Sequence, residues 1–230
     1  MDPGLYMVGT PIGNLEDVTF RAIETLKNVS CIFAEDTRHT RKLLNRYEIK
    51  TFLKSCHTFS EISRIDVLIQ SIGSGQAIAV VTDAGMPGIS DPGSRIVQAC
   101  RRAGVFVTVV PGPSAVTAAL ALSGLGGSHF MFLGFLSHKR GARKRCLNDW
   151  MDYQGPLVLY ESPYRLLKLM DEIEEIMGDR NIFVGRELTK KFEETLWGTP
   201  STIRLAFKGR AVKGELTVII APRTRVHGDD

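Results

Sequence analysis

The chain has 230 residues, 43% hydrophobic, 23% charged and 8% aromatic, with a formal net charge of +4. That apolar fraction excludes disorder, and a chain of this length buries roughly 70% of its unfolded surface, so it needs no disulfide or metal staple. Cys31, Cys56, Cys100 and Cys146 form no C-x-x-C pair or zinc spacing. MDPGLYMVGTP lacks a leader pattern and no apolar run approaches about 18 residues, so the expectation is a cytoplasmic chain without a membrane span.

Short apolar runs alternate with helical patterns from the start, as expected of parallel strands linked by crossover helices. Leu5 to Gly9, Ser30 to Ala34, Ala77 to Thr82 and Phe106 to Val110 read as strands. Val18, Ala22, Ile23, Leu26 and Val29 give one apolar stripe behind a Thr19 or Asp17 cap, which predicts a helix. Ile62, Ile65, Ile69 and Ile72 predict another, and Ile96, Val97 and Cys100 a third that starts near the turn at Ser90 to Gly93. After the helical AVTAALALSG, Gly124, Gly126 and Gly127 break the pattern, which restarts at Phe130 to Gly134. The expected domains are 1–123 and 128–225. In the second, Pro156 to Tyr160, Asn181 to Arg186, Glu194 to Gly198 and Glu215 to Ala221 read as strands. A helix is expected to open with Ser162 as cap and Pro163 in its first turn, with Leu166, Met170, Ile173 and Met177 on one face. The fold class is therefore α/β in two domains, the first mainly parallel and the second a mixed sheet.

Common chemistries fail by spacing. No G-x-x-x-x-G-K-[ST] loop is present, and the glycines at 124 to 127 follow a helix rather than a strand. The histidines at 39, 57, 129, 138 and 227 show no ligand spacing, so no catalytic metal is expected. Ser114 has no G-x-S-x-G elbow around it. What remains is three glycine- and proline-rich loops, GTPIGN at 9–14, TDAGMPGISDPG at 82–93 and PGPSA at 111–115, each at the carboxyl end of an expected strand. Those are ligand positions in open α/β sheets, and their walls would present mainly peptide groups to an uncharged or zwitterionic cofactor. Each loop alone reads more readily as an ordinary turn, and it is the three together on one sheet edge that point to a ligand site.

LYMVGTPIGNLEDVTFRAIETL, AEDTRHTRKLL, VVTDAGMPGISDPG, VVPGPSAVTAAL, FLGFLSHKRGARK, LYESPYRL and GRELTKKFEETLWGT, in that order, resemble the ribosomal RNA small subunit methyltransferase I family, a branch of the tetrapyrrole methylases. The resemblance implies S-adenosylmethionine-dependent 2′-O-methylation of a cytidine in the decoding region of 16S rRNA. It also implies a homodimer of two-domain subunits with the cofactor in the cleft between domains. Carried over position by position, the cofactor contacts are Pro11, Asp83, Ala84, Gly85, Ile89, Ser114 and Ala115, then Tyr160, Glu161, Leu188, Glu215 and Leu216. The chain departs from the wider superfamily in the first loop, GTPIGN, and in the third, DAGMPGISDPG.

Lys139, Arg140, Arg143, Lys144 and Arg145 form the densest positive cluster, ahead of a helix expected from about Ala142. Cations in a first helical turn oppose the macrodipole, a conflict that an RNA partner removes. Five phosphate contacts predict a slope of log K against log salt of about −3.5 on single strands. Tyr164 is a candidate to stack on a base, and equally a buried tyrosine. Methyl transfer needs alignment and a proton acceptor. Glu35 and Asp36 are the candidates, with Arg38 beside them to hold phosphate or a carboxylate. AEDTR also reads as an ordinary helix start, and Glu161 and Glu187 are alternative bases. The rival functions are methylation of a small molecule such as a tetrapyrrole, and RNA binding without catalysis.

Overall fold

The computed structural model describes residues 1–56 and 61–223, with side chains described outside 57–63. His57, His227, the Ile62 side chain and the last residues of the expected 128–225 domain lie outside the described residues. The chain divides into two compact units, Met1–Ser114 and Ala115–Asp230.

The first unit carries β1 (Gly4–Val8), α1 (Phe20–Asn28), β2 (Cys31–Ala34), α2 (Thr37–Arg46), β3 (Leu53–Ser55), α3 (Glu61–Gly73), β4 (Ala77–Val81), α4 (Ser94–Arg102) and β5 (Val107–Val110). The strands form one parallel sheet in the order β3-β2-β4-β1-β5. Period-two alternation explains why they read as unbroken apolar runs. Tyr6, Val8, Ile32, Ala34, Ala79 and Val81 face one core with Ala22 and Leu26 of α1 and Leu43 and Leu44 of α2. Leu5, Met7, Cys31, Phe33, Ile78 and Val80 face the other, with Leu68 of α3 and Ile96 and Cys100 of α4. Thr19 caps α1 through its side chain, accepting from the Ala22 N–H, as the sequence predicts. The strand β3 has no counterpart among the expected strands, being three half-buried residues at the sheet edge that include Lys54.

The second unit carries α5 (Ala115–Ser123), β6 (Met131–Phe135), α6 (Arg140–Asp149), β7 (Leu157–Glu161), α7 (Leu166–Met177), β8 (Ile182–Arg186), β9 (Glu194–Gly198), α8 (Pro200–Phe207) and β10 (Leu216–Ile220). Its sheet runs β6-β7-β10-β8-β9, with only the β6–β7 pair parallel, the mixed sheet expected. Leu157, Leu159, Ile182, Val184, Leu216, Val218 and Ile220 meet Leu147, Leu169, Met170, Ile173, Ile203 and Phe207 from the helices. The apolar helix α5 packs on β10, which groups it with this unit ahead of the glycine break.

The expected start of α7 is corrected. Ser162 does not cap it; Ser162 to Arg165 forms a turn, in which the Arg165 N–H donates to the Ser162 carbonyl at 2.9 Å, and the helix begins at Leu166. Arg165, tied to Glu161 at 3.0 Å and to the Leu136 carbonyl at 2.8 Å, stands at the cap position instead, so the chain turns once before the helical ladder starts.

Candidate functional site

In the first unit β1 and β4 are neighbours whose following helices, α1 and α4, pack on opposite faces of the sheet. That makes their carboxyl ends the switch point where open α/β sheets form a crevice. The loops there are stitched together. The Thr10 N–H donates to the Gly85 carbonyl at 2.9 Å and the Gly85 N–H returns a bond to Thr10 at 3.1 Å. The buried Thr10 hydroxyl adds a bond to the Thr82 carbonyl at 3.1 Å. Gly85 holds φ +88°, a left-handed conformation that a side chain would strain. The first and last loops pack main chain against main chain at their glycines: a Cβ on Gly112 would lie 2.9 Å from Gly9 Cα and carbonyl carbon. Gly112→Ala must therefore push two main chains apart, and a loss of about 1–3 kcal/mol is expected in urea denaturation.

The candidate acids join the same edge. Glu35 accepts the Thr82 hydroxyl at 2.8 Å and has no other polar partner among the described residues. The Asp36 N–H donates to the Asp83 carboxylate at 3.0 Å. Asp36 itself caps α2 by accepting the Arg38 N–H at 2.8 Å, and its carboxylate is forked by the Arg38 guanidinium at 2.7 to 3.2 Å. Arg38, first through its side chain and then its backbone N–H, holds the Asp36 carboxyl far below the usual carboxylate range. Asp36 is thus a committed anion and a poor proton acceptor. A small open pocket lies beside these groups, with Thr10, Pro11, His39, Thr40, Thr82 and Asp83 among its walls. Of the cofactor positions expected here, Pro11 and Gly85 are buried, Asp83, Ala84 and Ser114 half-buried, and Ile89 exposed. Thr82 was not among the expected site residues. Its signal is a hydroxyl ending the otherwise apolar run AIAVVT.

In the second unit the polar groups gather around residues 136–138, just before α6. Arg143 is 6% exposed; its guanidinium grips Glu172 of α7, with one bond at 2.6 Å, and reaches the Ser137 carbonyl at 3.1 Å. Arg165 donates to the Leu136 carbonyl at 2.8 Å, approaches His138 Nδ1 at 3.1 Å and pairs with Glu161 at 3.0 Å. Glu161 is buried, and one of its oxygens, Oε2, has no hydrogen-bond partner among the described residues. Burial raises its pKa, against the Ser162 N–H and the nearby Arg165 and Arg143 that favour the anion.

Glu187, an alternative base, is taken up structurally. Its Oε1 accepts both Lys190 and the Glu215 N–H at 2.9 Å. Burial pushes its pKa up, but these partners outweigh burial and leave it below the ordinary value. Among the other expected cofactor positions Leu188 and Leu216 are buried, Tyr160 half-buried against Phe132 and Phe135, and Glu215 exposed. Ala115, the first residue of α5, is half-buried.

The cationic arm is less free than its sequence suggests. The helix begins at Arg140, two residues ahead of the expected start. Arg143 is buried, Lys144 pairs with Glu175, and Arg140 lies 3.9 Å from Glu172 and Glu175. Lys139 and Arg145 are exposed and in no ion pair among the described residues. Tyr164 is 88% exposed, which removes the buried-tyrosine reading.

The family model of tetrapyrrole (corrin/porphyrin) methylases matches residues 4–203. The fold agrees with solved members: a cobalt precorrin-4 methyltransferase of cobalamin biosynthesis superposes with a TM-score of 0.74 at 16% identity, covering 94% of each chain. A uroporphyrin-III C-methyltransferase from Thermus thermophilus, solved with S-adenosylhomocysteine, gives 0.66 at 18% identity, covering 94% of this chain and 96% of that one. Among curated proteins, the ribosomal RNA small subunit methyltransferase I of Thermotoga maritima is 46% identical over 94% of this chain and 97% of its own. That of Bacillus subtilis is 44% identical over 94% of this chain and 75% of its own. Within the tetrapyrrole methylases, the chain belongs to the ribosomal RNA small subunit methyltransferase I family.

Proposed function

We propose that this protein is an S-adenosylmethionine-dependent methyltransferase that modifies the ribose 2′-oxygen of a cytidine in the decoding region of small-subunit rRNA. The observation that carries the RNA reading is the 46% identity, over nearly the full length of both chains, to a relative named for that RNA. The cofactor's class is supported by this chain's own residues. The switch-point loops offer peptide groups held close by Thr10, Gly85, Gly9 and Gly112. In the second unit the unpartnered Glu161 Oε2 is an acceptor that an N–H or O–H of a bound group would satisfy. Pro11, Asp83, Ala84, Gly85, Ile89 and Ser114 are proposed to hold the cofactor in the first unit. Ala115, Tyr160, Glu161, Leu188, Glu215 and Leu216 are proposed to do so in the second.

When bound, S-adenosylmethionine supplies a methyl group made electrophilic by its sulfonium. Glu35 then accepts the proton that the attacking ribose hydroxyl gives up, and the Thr82 hydroxyl fixes the carboxylate that receives it. Asp36 and Arg38 keep the start of α2 in place and put a guanidinium at the edge of the site. Lys139 and Arg145 contribute phosphate contacts, with Arg140 and Lys144 available where RNA competes with the α7 carboxylates. Arg143 acts from beneath by holding the residues before α6. The reading extends to a homodimer acting in the cytoplasm, which sedimentation and cell fractionation check.

Ribose-methylation mapping of small-subunit rRNA from cells lacking the gene tests the reaction. One decoding-region 2′-O-methylcytidine should vanish and return when the gene is restored. If every such methyl group persists in the deletion strain, the assignment of substrate is wrong.

A further inference from the structure

Helix α2, TRHTRKLLNR, divides cleanly into two faces. Thr40, Leu43 and Leu44 are buried against the sheet, with the half-buried Tyr47 just beyond the helix. The opposite stripe, at spacings of three and four, is Arg38, Arg41, Lys42, Asn45 and Arg46, all exposed. No acidic residue lies in the helix. Arg38 is answered by Asp36 and Arg46 only distantly by Glu16 at 3.8 Å, while Arg41 and Lys42 have no ion pair among the described residues.

A purely structural role accounts badly for this stripe. Arg38 with Arg41, Arg38 with Lys42 and Lys42 with Arg46 are like charges at three- or four-residue spacing, an arrangement that destabilises a helix. Arg38 sits in the first turn, where cations oppose the macrodipole. Two other cationic helices differ. In α4 the exposed Arg95 lies in the first turn, but Arg101 and Arg102 lie in the last, where the dipole favours them, and no two of these cations stand three or four residues apart. In α6 Arg140, Arg143 and Lys144 are answered by Glu172 and Glu175 of α7, which leaves Arg145 alone of that helix's cations without an ion pair among the described residues. Among the described helices α2 thus has the most cation pairs at three- or four-residue spacing, three against two in α6, although the α6 segment is denser in sequence.

Its position gives the charge a use. The stripe begins beside Glu35 and Asp36 at the carboxyl edge of the sheet and runs about 12 Å away from it along the helix. We infer that the exposed face of α2 is an RNA-docking track, in which Arg41, Lys42 and Arg46 bind successive backbone phosphates of the substrate strand leading to the site. This rests on the rRNA reading above and assigns to it a surface outside the α6 arm. The contacts are to phosphate, so they position the strand without reading its bases.

The test compares the parent with the Arg41→Gln, Lys42→Gln, Arg46→Gln triple variant, titrating small-subunit rRNA at several salt concentrations. Losing three single-strand phosphate contacts should make the slope of log K against log salt shallower by about 2 and weaken binding about 100-fold at 0.1 M salt. The variant's Tm should stay close to the parent's, since relief of repulsion within the helix offsets loss of the distant, exposed Arg46–Glu16 pair, and its calorimetric affinity for S-adenosylmethionine should equal the parent's. A triple variant with the parent's slope overturns the α2 track while leaving the rRNA reading intact. A parent that shows no salt-dependent RNA binding overturns both.

Discussion

Glu35→Gln is expected to lower kcat for methyl transfer by about 10²–10⁴-fold, the usual contribution of a positioned general base. The substitution is nearly isosteric, and the Thr82 hydroxyl at 2.8 Å can still donate to the amide oxygen, so the fold and the switch-point loops should be undisturbed. Calorimetry with S-adenosylmethionine should therefore return the parent's affinity, and rRNA binding should keep its salt slope. Asp36→Asn is the matched control. Asn is as good a helix cap as Asp, and the Asp36 carboxylate is already committed to Arg38. A kcat within a few-fold of the parent is expected. A Glu35→Gln enzyme of normal rate, or an Asp36→Asn enzyme with the larger loss, would move the proton to another acceptor.

The contrast between these neighbours has a simple origin. Both follow β2, but Asp36 occupies the cap position, where a carboxylate is drawn onto the helix N–H groups and, here, onto Arg38. That pull gives Asp36 a stabilising role that is fully present above its unfolded pKa. It is lost only as pH falls through its depressed folded value. Glu35 sits one residue earlier, still at the strand end, and its side chain turns to β4 instead, where it meets Thr82. Adjacent carboxylates thus acquire separate tasks from the register of one strand-to-helix junction.

Sequence patterning exposed the fold wherever burial was two-sided. The runs that became β1, β2 and β4 are apolar at every position because both faces are covered, and the antiparallel pairing of β8 with β9 follows from the short connection between them. It missed β3 because a three-residue edge strand containing Lys54 has neither length nor apolar alternation. It placed the start of α7 too early because Ser-Pro is a common helix opening, and the intervening turn shows only in the bond from the Arg165 N–H to the Ser162 carbonyl. The site was legible as loops, less so as roles. Cation density pointed to 139–145, whereas charge compensation depends on α7, which follows in sequence after another strand. The uncompensated charge of α2 is visible only once the acids that could neutralise it are seen to lie elsewhere.

Arg143 is where this difference has the largest consequence for stability. Arg143→Ala is expected to cost about 3–5 kcal/mol in urea denaturation, because it leaves a buried Glu172 carboxylate with only the distant, exposed Arg140 at 3.9 Å. It also removes the donor to the Ser137 carbonyl. Replacing both partners with apolar residues of similar size, Arg143→Met with Glu172→Leu, should recover most of the loss, since an absent pair leaves no uncompensated charge. Arg165 still holds the Leu136 carbonyl in that double variant, so the approach to α6 keeps one of its two clamps. Arg145→Ala, at an exposed and unpaired position, should leave stability within about 0.5 kcal/mol of the parent while making the rRNA salt slope shallower by about 0.7. An Arg143→Ala protein as stable as its parent, with its slope shallower by that same amount, would return Arg143 to the phosphate-binding set and leave Glu172 with some other partner.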